Sequence, residues 1–225
     1  RDQPRSRGLG DVYKRQINFH IEDNDLGAGG PKTKYKANVE AIRLLKTLDA
    51  EQRQATAEEQ EILSRYVGWG GISQVFDEKN EDWAKEYAEL KSRLTADEYK
   101  EARASTLNAF YTSPTVIKAM YEALDNMGLS KGNVLEPSCG VGNFMGLVPD
   151  SMEKIRMYGV ELDNVSGRIA QQLYQKNKIA VQGFETMQFP DSFFDCVVGN
   201  VPFGNYKVPD KPVSYTHLRA HETEA

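Results

Sequence analysis

The fold is decided by residues 133–144, which read NVLEPSCGVGNF. An apolar run ends at an acidic residue, Glu136, and is followed by a glycine-rich turn and by residues that can begin a helix. Glycines let the backbone approach a ligand closely, and free N–H groups at a helix N-terminus can donate to it. The pattern therefore predicts a strand, a turn and a helix start that together suit a nucleotide-like ligand. A purely structural turn explains an isolated glycine turn equally well.

Short apolar runs recur from this stretch onward, separated by glycine-bearing turns or by segments of helix length. They occupy residues 134–136, 157–161, 179–182 and 196–199, with helices predicted at 113–126 and 164–176. Such alternation is typical of parallel strands joined by crossover helices. We therefore predict an α/β fold with a partial Rossmann-like sheet. Four strands are fewer than a complete doubly wound domain has.

The region upstream, residues 17–107, is predicted to be a helical extension. After a glycine-rich loop, apolar residues recur at steps of three and four, which indicates an amphipathic helix. They are Tyr35, Val39, Ile42, Leu45 and Leu48. Thr56 with Glu59, and Thr95 with Glu98, form capping-box patterns that predict two further helix starts.

Composition narrows the class of protein. The 225 residues carry a formal net charge of −5, which argues against this chain alone being a nucleic-acid clamp, because such clamps need clustered Lys and Arg. No apolar run approaches the roughly 18 residues that span a bilayer, and no secretory leader is evident, so we expect a cytoplasmic protein. Cys139 and Cys196 show no CxxC spacing. No metal site and no membrane association are therefore predicted.

A second acidic residue, Glu161, ends a predicted strand about 20 residues after the glycine loop, where a carboxylate can accept hydrogen bonds from both hydroxyls of a ribose. A nicotinamide or flavin site is the competing interpretation, and its fingerprint is G-x-G-x-x-G. Here Gly140 and Gly142 are followed by Gly146, one position late for that fingerprint. The spacing disfavours an NAD enzyme.

The third motif is the most specific. Residues 195–204 read DCVVGNVPFG, an apolar strand that runs into Asn-Val-Pro-Phe, and this resembles the amino-methyltransferases, whose catalytic loop reads Asp or Asn, Pro, Pro, then Tyr or Phe. Residues 109–114 (AFYTSP) precede the glycine loop, and this order resembles the N6-adenine DNA methyltransferases. Residues 64–71 (SRYVGWGG) extend the resemblance to the methylase segment of large helicase-methyltransferase proteins of bacterial conjugative elements and phages. The resemblance covers residues 17–211.

The resemblance implies S-adenosylmethionine as the cofactor and an exocyclic amino group, adenine N6 in DNA, as the acceptor. Asn200 and the Val201 carbonyl would accept hydrogen bonds from that amine, and Phe203 would stack on the base beside Pro202. The implied cofactor residues are Phe110, Tyr111, Thr112, Glu136, Pro137, Gly140, Gly142, Glu161 and Phe184. Val201 departs from the usual proline. Gly183 stands where many relatives have an acidic residue, which leaves the contact to the cofactor adenine in doubt.

Both ends look foreign to this protein. Residues 1–16 and 213–225 resemble translated sequencing-adaptor read-through, so the chain is interpreted as a fragment with a truncated methyltransferase domain at 108–212. We expect this fragment to be inactive by itself, with DNA contacts supplied mostly by regions outside it. Two alternatives stay open: a methyltransferase acting on RNA or on protein glutamine, and a non-catalytic cofactor- or DNA-binding module of a mobile-element protein.

Overall fold

The computed structural model describes residues 16–25, 27–106 and 111–200. The helices are α1 (Pro31–Ala50), α2 (Ala57–Leu63), α3 (Ala84–Arg93), α4 (Ala96–Ser105), α5 (Pro114–Asn126), α6 (Asn143–Gly146) and α7 (Asn164–Leu173). The strands are β1 (Lys131–Glu136), β2 (Lys154–Glu161), β3 (Lys178–Val181) and β4 (Cys196–Val197). Short 3-10 turns occur at Ser73–Phe76, Glu81–Trp83, Asp150–Met152 and Phe184–Thr186. Helices thus precede an α/β unit, as predicted.

The four strands form one parallel sheet in the order β3-β2-β1-β4. From β1 the chain moves outward through β2 to β3, and it then returns to the other side of β1 as β4. This reversal is a topological switch point, and ligands of open α/β sheets bind outside the carboxyl ends of the strands at such a point. The predicted Rossmann-like fold is confirmed, and its switch point lies between β1 and β4.

Local sequence signals explain where several helices begin and end. Pro31 occupies the first turn of α1, where a missing N–H costs nothing. Capping boxes at Thr56 and Thr95 open α2 and α4, which confirms both predictions. The helix predicted at 164–176 ends earlier, at Leu173. The backbone of Tyr174 leaves the helical region and forms an antiparallel bridge with Asn18.

Residues 17–21, predicted as part of a loop, run across the α/β unit as a strap. The Phe19 N–H donates to the Leu173 carbonyl at 2.8 Å, and the Ile21 N–H donates to the Gly146 carbonyl at 2.9 Å. Ile21 is buried, with 3 % of its surface exposed. The strap therefore satisfies backbone carbonyls at the C-terminal ends of α6 and α7, which a helix leaves without partners of its own.

The helical extension and the α/β unit share one hydrophobic core. Buried Gln60 on α2 donates its amide to the Gln172 and Leu173 carbonyls at 2.8 and 3.0 Å, and Gln175 donates to the Ala55 carbonyl at 2.8 Å. Ion pairs also join α1, α4 and α7 through Arg168. The division into residues 17–107 and 108–212 stays a prediction. Side chains of both parts pack against each other.

The connection from β3 to β4 packs aromatic rings against β2. Phe193 and Phe194 pack edge-on against Tyr158 of β2, with ring centroids 5.3 and 5.4 Å away.

Of the two cysteines, Cys139 is buried whereas Cys196 is only partly buried. Among the described helices, none combines the length and apolar character needed to cross a membrane.

Candidate active site

The predicted site residues gather at one edge of the sheet because parallel strands end on the same side. Glu136 ends β1 and Glu161 ends β2. Phe184 lies in the turn after β3, and Asn200 follows β4. Residues from four strands are thus brought to the carboxyl edge, where ligands of this fold class bind.

The glycine loop after β1 requires glycine at two positions. Gly140 and Gly142 have φ values of +54° and +84°, a left-handed backbone that side chains disfavour. A Cβ at Gly140 would lie 2.4 Å from a ring carbon of Tyr111, and one at Gly142 would lie 2.6 Å from the Tyr174 ring. Both glycines are needed for close packing as well as for backbone conformation.

Glu161 fixes this loop by accepting two backbone hydrogen bonds. The Gly140 N–H donates to Oε2 and the Asp163 N–H donates to Oε1, each at 2.7 Å. A carboxylate offers about four acceptor positions, so acceptor capacity is left for hydroxyl groups. The pKa of Glu161 is raised, chiefly by burial, with the backbone donors opposing that shift.

Glu136 is a buried carboxyl group, one oxygen of which has no hydrogen-bond partner among the described residues. Its side chain is 3 % exposed, and Oε2 makes no hydrogen bond within the described chain. Burial, and then the negative charge of Glu161, raise the pKa of Glu136 well above its usual range. Buried polar atoms normally have partners, so an orphaned oxygen at a ligand-binding edge points to a group that arrives from outside.

A cavity of about 30 Å³ joins the glycine loop to the predicted catalytic loop. It is lined by Tyr111, Thr112, Glu136, Ser138, Cys139, Asn143, Phe144 and Asn200. The structure thus brings Asn200 together with Tyr111, Thr112 and Glu136, which are far apart in sequence. A groove of about 820 Å³ between residues 17–28 and the first two helices contains none of the predicted site residues.

The other predicted residues are placed as follows. Tyr111 bonds Ser166 Oγ through its hydroxyl at 3.1 Å, and the Thr112 carbonyl accepts from Asn143 Nδ2 at 3.4 Å. Phe184 is 48 % exposed and lies outside the cavity. Pro137 is partly buried directly after β1. Phe110, Val201, Pro202 and Phe203 lie outside the described residues, so their roles stay predictions.

Sequence reasoning missed several residues of this site. Ser138, Cys139, Asn143 and Phe144 line the cavity, and their place inside the glycine-loop motif could have suggested them. Ser166, which bonds Tyr111, carries no such signal because it belongs to the first turn of α7 and only the tertiary structure brings it there.

Comparison with known proteins identifies the α/β unit. Residues 135–213 match the family described as "Methyltransferase domain". The chain contains a methyltransferase domain. The matched segment begins at β1 and includes the glycine loop, Glu161 and Asn200.

The chain is similar to proteins of phages and viruses. The "Defense against restriction protein B" of Escherichia phage P1 is 29 % identical over 205 residues, 89 % of this chain and 8 % of that protein. The "Type II methyltransferase M.CvrRI" of Paramecium bursaria Chlorella virus XZ-6E is 30 % identical over 115 residues, 51 % of this chain and 28 % of that protein. The chain therefore spans under a third of either relative's length.

A match to a solved structure, a TehB-like SAM-dependent methyltransferase from Corynebacterium glutamicum, covers 54 % of each chain at 20 % identity with a TM-score of 0.32.

The cofactor of the methyltransferase domain is S-adenosylmethionine. The residues present fit it: Glu136 Oε2, buried and without a partner among the described residues, would accept from its N–H or cationic groups, and Glu161 would have acceptor capacity left for its ribose hydroxyls. No cluster of three or more metal-ligating side chains occurs in the described parts of the chain.

The orphaned carboxyl predicts a pH-dependent effect of Glu136→Gln on stability. A folded-state pKa above the unfolded value stabilises the fold at low pH, and this contribution is lost as the pH rises through the folded pKa. Glutamine cannot ionise, so the variant should gain unfolding free energy relative to the wild type as the pH increases from about 5 to about 8. Urea denaturation of the ligand-free chain at several pH values measures this difference.

Glu122→Gln, on the exposed surface of α5, is the matched control and should follow the wild type throughout. If the unfolding free energies of Glu136→Gln and the wild type change in parallel with pH, then the pKa of Glu136 is the same in the folded and the unfolded chain. Its proposed place as an unpartnered acceptor for the cofactor would then need revision.

Proposed function

We propose that this chain is the cofactor-binding and catalytic-loop part of a methyltransferase that modifies an exocyclic amino group, adenine N6 in DNA. The observation that carries the proposal is the position of Asn200. It follows β4 at the switch point and lines one cavity with Glu136 and Tyr111. An amide oxygen at this point can accept a hydrogen bond from the amine that receives the methyl group beside the cofactor.

The chemistry explains why an amide is useful there. An exocyclic aromatic amine is a weak nucleophile because its lone pair is delocalised into the ring. Asn200 Oδ1 and the Val201 carbonyl accept hydrogen bonds from its two N–H groups, which localises the lone pair as the nitrogen becomes tetrahedral and so stabilises the transition state. S-adenosylmethionine, when bound, supplies an electrophilic methyl group.

The remaining site residues hold and orient the reactants. Phe203 stacks on the extruded base next to Pro202, a contact worth about 1–3 kcal/mol. Tyr111, Thr112 and Phe110 hold the methionine end of the cofactor, Glu136, Pro137, Gly140 and Gly142 surround its middle, Glu161 accepts the ribose hydroxyls and Phe184 flanks the adenine. The exposed ring of Phe184 and the unpartnered oxygen of Glu136 support these assignments.

The relatives support DNA as the substrate. Their names describe defence against restriction, a type II methyltransferase and, in Paramecium bursaria Chlorella virus NC1A, a modification methylase. The match to the phage protein over 89 % of the chain supports a place in a much longer mobile-element protein, in which we include a helicase region and the DNA-recognition region. In this proposal the 225-residue chain alone lacks turnover.

A methyl-acceptor assay tests the proposed function. The complete protein is incubated with isotope-labelled S-adenosylmethionine and, in separate reactions, with unmethylated duplex DNA, RNA or protein, and the digested products are separated by mass spectrometry. We expect label in N6-methyldeoxyadenosine and none when the 225-residue chain replaces the complete protein. Label in RNA or protein glutamine alone would overturn DNA adenine as the substrate. Binding of the cofactor without transfer to any of these acceptors would favour the non-catalytic module.

A further inference from the structure

The turn at residues 64–71 (SRYVGWGG) has no chemical role in the proposed reaction, yet it packs beside Tyr111, a residue proposed to hold the cofactor. A Cβ at Gly68 would lie 3.0 Å from the Tyr111 hydroxyl and 3.2 Å from Cε2 of its ring. A Cβ at Gly140 would lie 2.4 Å from Cε1, on the opposite edge of the same ring. Tyr111 is therefore packed between the helical extension and the glycine loop, with glycine on both sides.

Gly68 is held in place by a buried amide on α1. Asn38 is fully buried, its Nδ2 donates to the Gly68 carbonyl at 2.6 Å, and its Oδ1 accepts the Val67 N–H at 2.9 Å. Both polar groups of one side chain thus bind two consecutive residues of the turn. Buried polar groups that are hydrogen-bonded in this way make the local structure rigid. Gly68 has a φ of +66°, which favours glycine at this point.

Tyr111 is also anchored on the other side of the site. Its hydroxyl shares a hydrogen bond with Ser166 Oγ at 3.1 Å, and the Ser166 N–H donates to the capping carboxylate of Asp163 at 2.7 Å. The Asp163 N–H in turn donates to Glu161, which holds the Gly140 N–H. A continuous series of contacts therefore connects the turn of the extension with the carboxylate that fixes the glycine loop.

We infer that Asn38 and Gly68 are positioning residues for S-adenosylmethionine binding: through Tyr111 they set the position of the glycine loop, so the helical extension is a structural part of the cofactor site. The inference rests on cofactor binding at this loop. A side chain at position 68 pushes the Tyr111 ring toward Gly140, where there is no space to accommodate it.

The test compares two glycines of the same turn by calorimetric titration of the whole 225-residue chain with S-adenosylmethionine. Gly68→Ala should raise the Kd by about tenfold or more. Gly71→Ala is the matched control, because a Cβ there would have no heavy atom of the described residues within 4 Å, and its Kd should equal that of the wild type. Circular dichroism and urea denaturation without ligand show that each variant is folded at the titration temperature.

A double-mutant cycle separates positioning from a general loss of stability. Tyr111→Phe removes the hydroxyl, the atom closest to the new methyl group, so Gly68→Ala should raise the Kd less in that background than in the wild type. Purely structural effects would add. Gly68→Asn serves if the alanine variant does not fold, since asparagine tolerates positive φ better.

Each outcome decides something different. If the wild-type chain does not bind S-adenosylmethionine, the cofactor assignment itself fails. If the wild type binds and folded Gly68→Ala binds equally well, the inference is wrong while the cofactor assignment stands. Additive effects in the cycle, or failure of both position-68 variants to fold while Gly71→Ala folds, would mean that the turn serves stability only.

Discussion

Replacement of Asn200 by alanine is expected to lower methyl transfer by the complete protein by about two to three orders of magnitude. The variant loses the acceptor oxygen that we propose to stabilise the amine in the transition state. Asn200 is exposed after β4 and lies at the cavity rim, so its loss should leave both the fold and the cofactor affinity nearly unchanged. Single-turnover transfer of labelled methyl groups to duplex DNA, with calorimetric titration of the cofactor, measures both quantities.

Two further variants sharpen this experiment. Asn200→Asp keeps an acceptor oxygen and should recover part of the activity, because the related catalytic loops use either residue. Asn126→Ala, at the exposed end of α5, is the control and should transfer at the wild-type rate. Unchanged transfer by Asn200→Ala would remove the catalytic assignment of this loop, whatever the cofactor affinity.

Replacement of Gly140 by alanine is expected to remove measurable S-adenosylmethionine binding by the 225-residue chain. The methyl group would lie 2.4 Å from the Tyr111 ring, and the backbone at φ +54° is strained for any side chain. Relief of that contact must move the N–H that donates to Glu161, so the loop and the carboxylate proposed for the ribose change together. Calorimetric titration is the measurement.

The control for Gly140→Ala is Gly128→Ala. Gly128 also has a positive φ, +89°, but a Cβ there would meet no heavy atom within 4 Å among residues 16–25, 27–106 and 111–200. Gly128→Ala should therefore lose only about 1–2 kcal/mol of stability from its backbone conformation, and it should bind the cofactor like the wild type. If both variants bind normally, the glycine loop does not form the cofactor site. If both lose binding, loss of stability rather than the contact explains the result.

Much of the fold follows from local sequence. The capping boxes at Thr56 and Thr95 were predictable because the bonded groups lie three residues apart, and the glycine turn after Glu136 was predictable because residue types with special backbone freedom are adjacent there. The end of α7 was not predictable in this way. Helical periodicity continues to Lys176, but Asn18, far upstream, pairs with Tyr174 and ends the helix.

The candidate site also has features that the sequence predicts and features that only the tertiary structure shows. Sequence motifs alone indicated Glu136, Gly140, Glu161 and Asn200, since each follows a recognisable apolar run. They could not show that Oε2 of Glu136 has no partner in the part of the chain that the structure describes, because burial and unsatisfied atoms depend on contacts between distant segments. Nor could they show that Asn200 shares a cavity with Glu136, which depends on the order of strands in the sheet.

The sequence by itself determined the elements of this protein: alternating strands and helices, glycine turns, capped helix starts and the residue types of a methyl-transfer site. These depend on interactions over a few residues. Only the tertiary structure decided the strand order that creates the switch point and the packing of Tyr111 between Gly68 and Gly140. Such arrangements are set by long-range contacts in a shared core, whose partners no local pattern specifies.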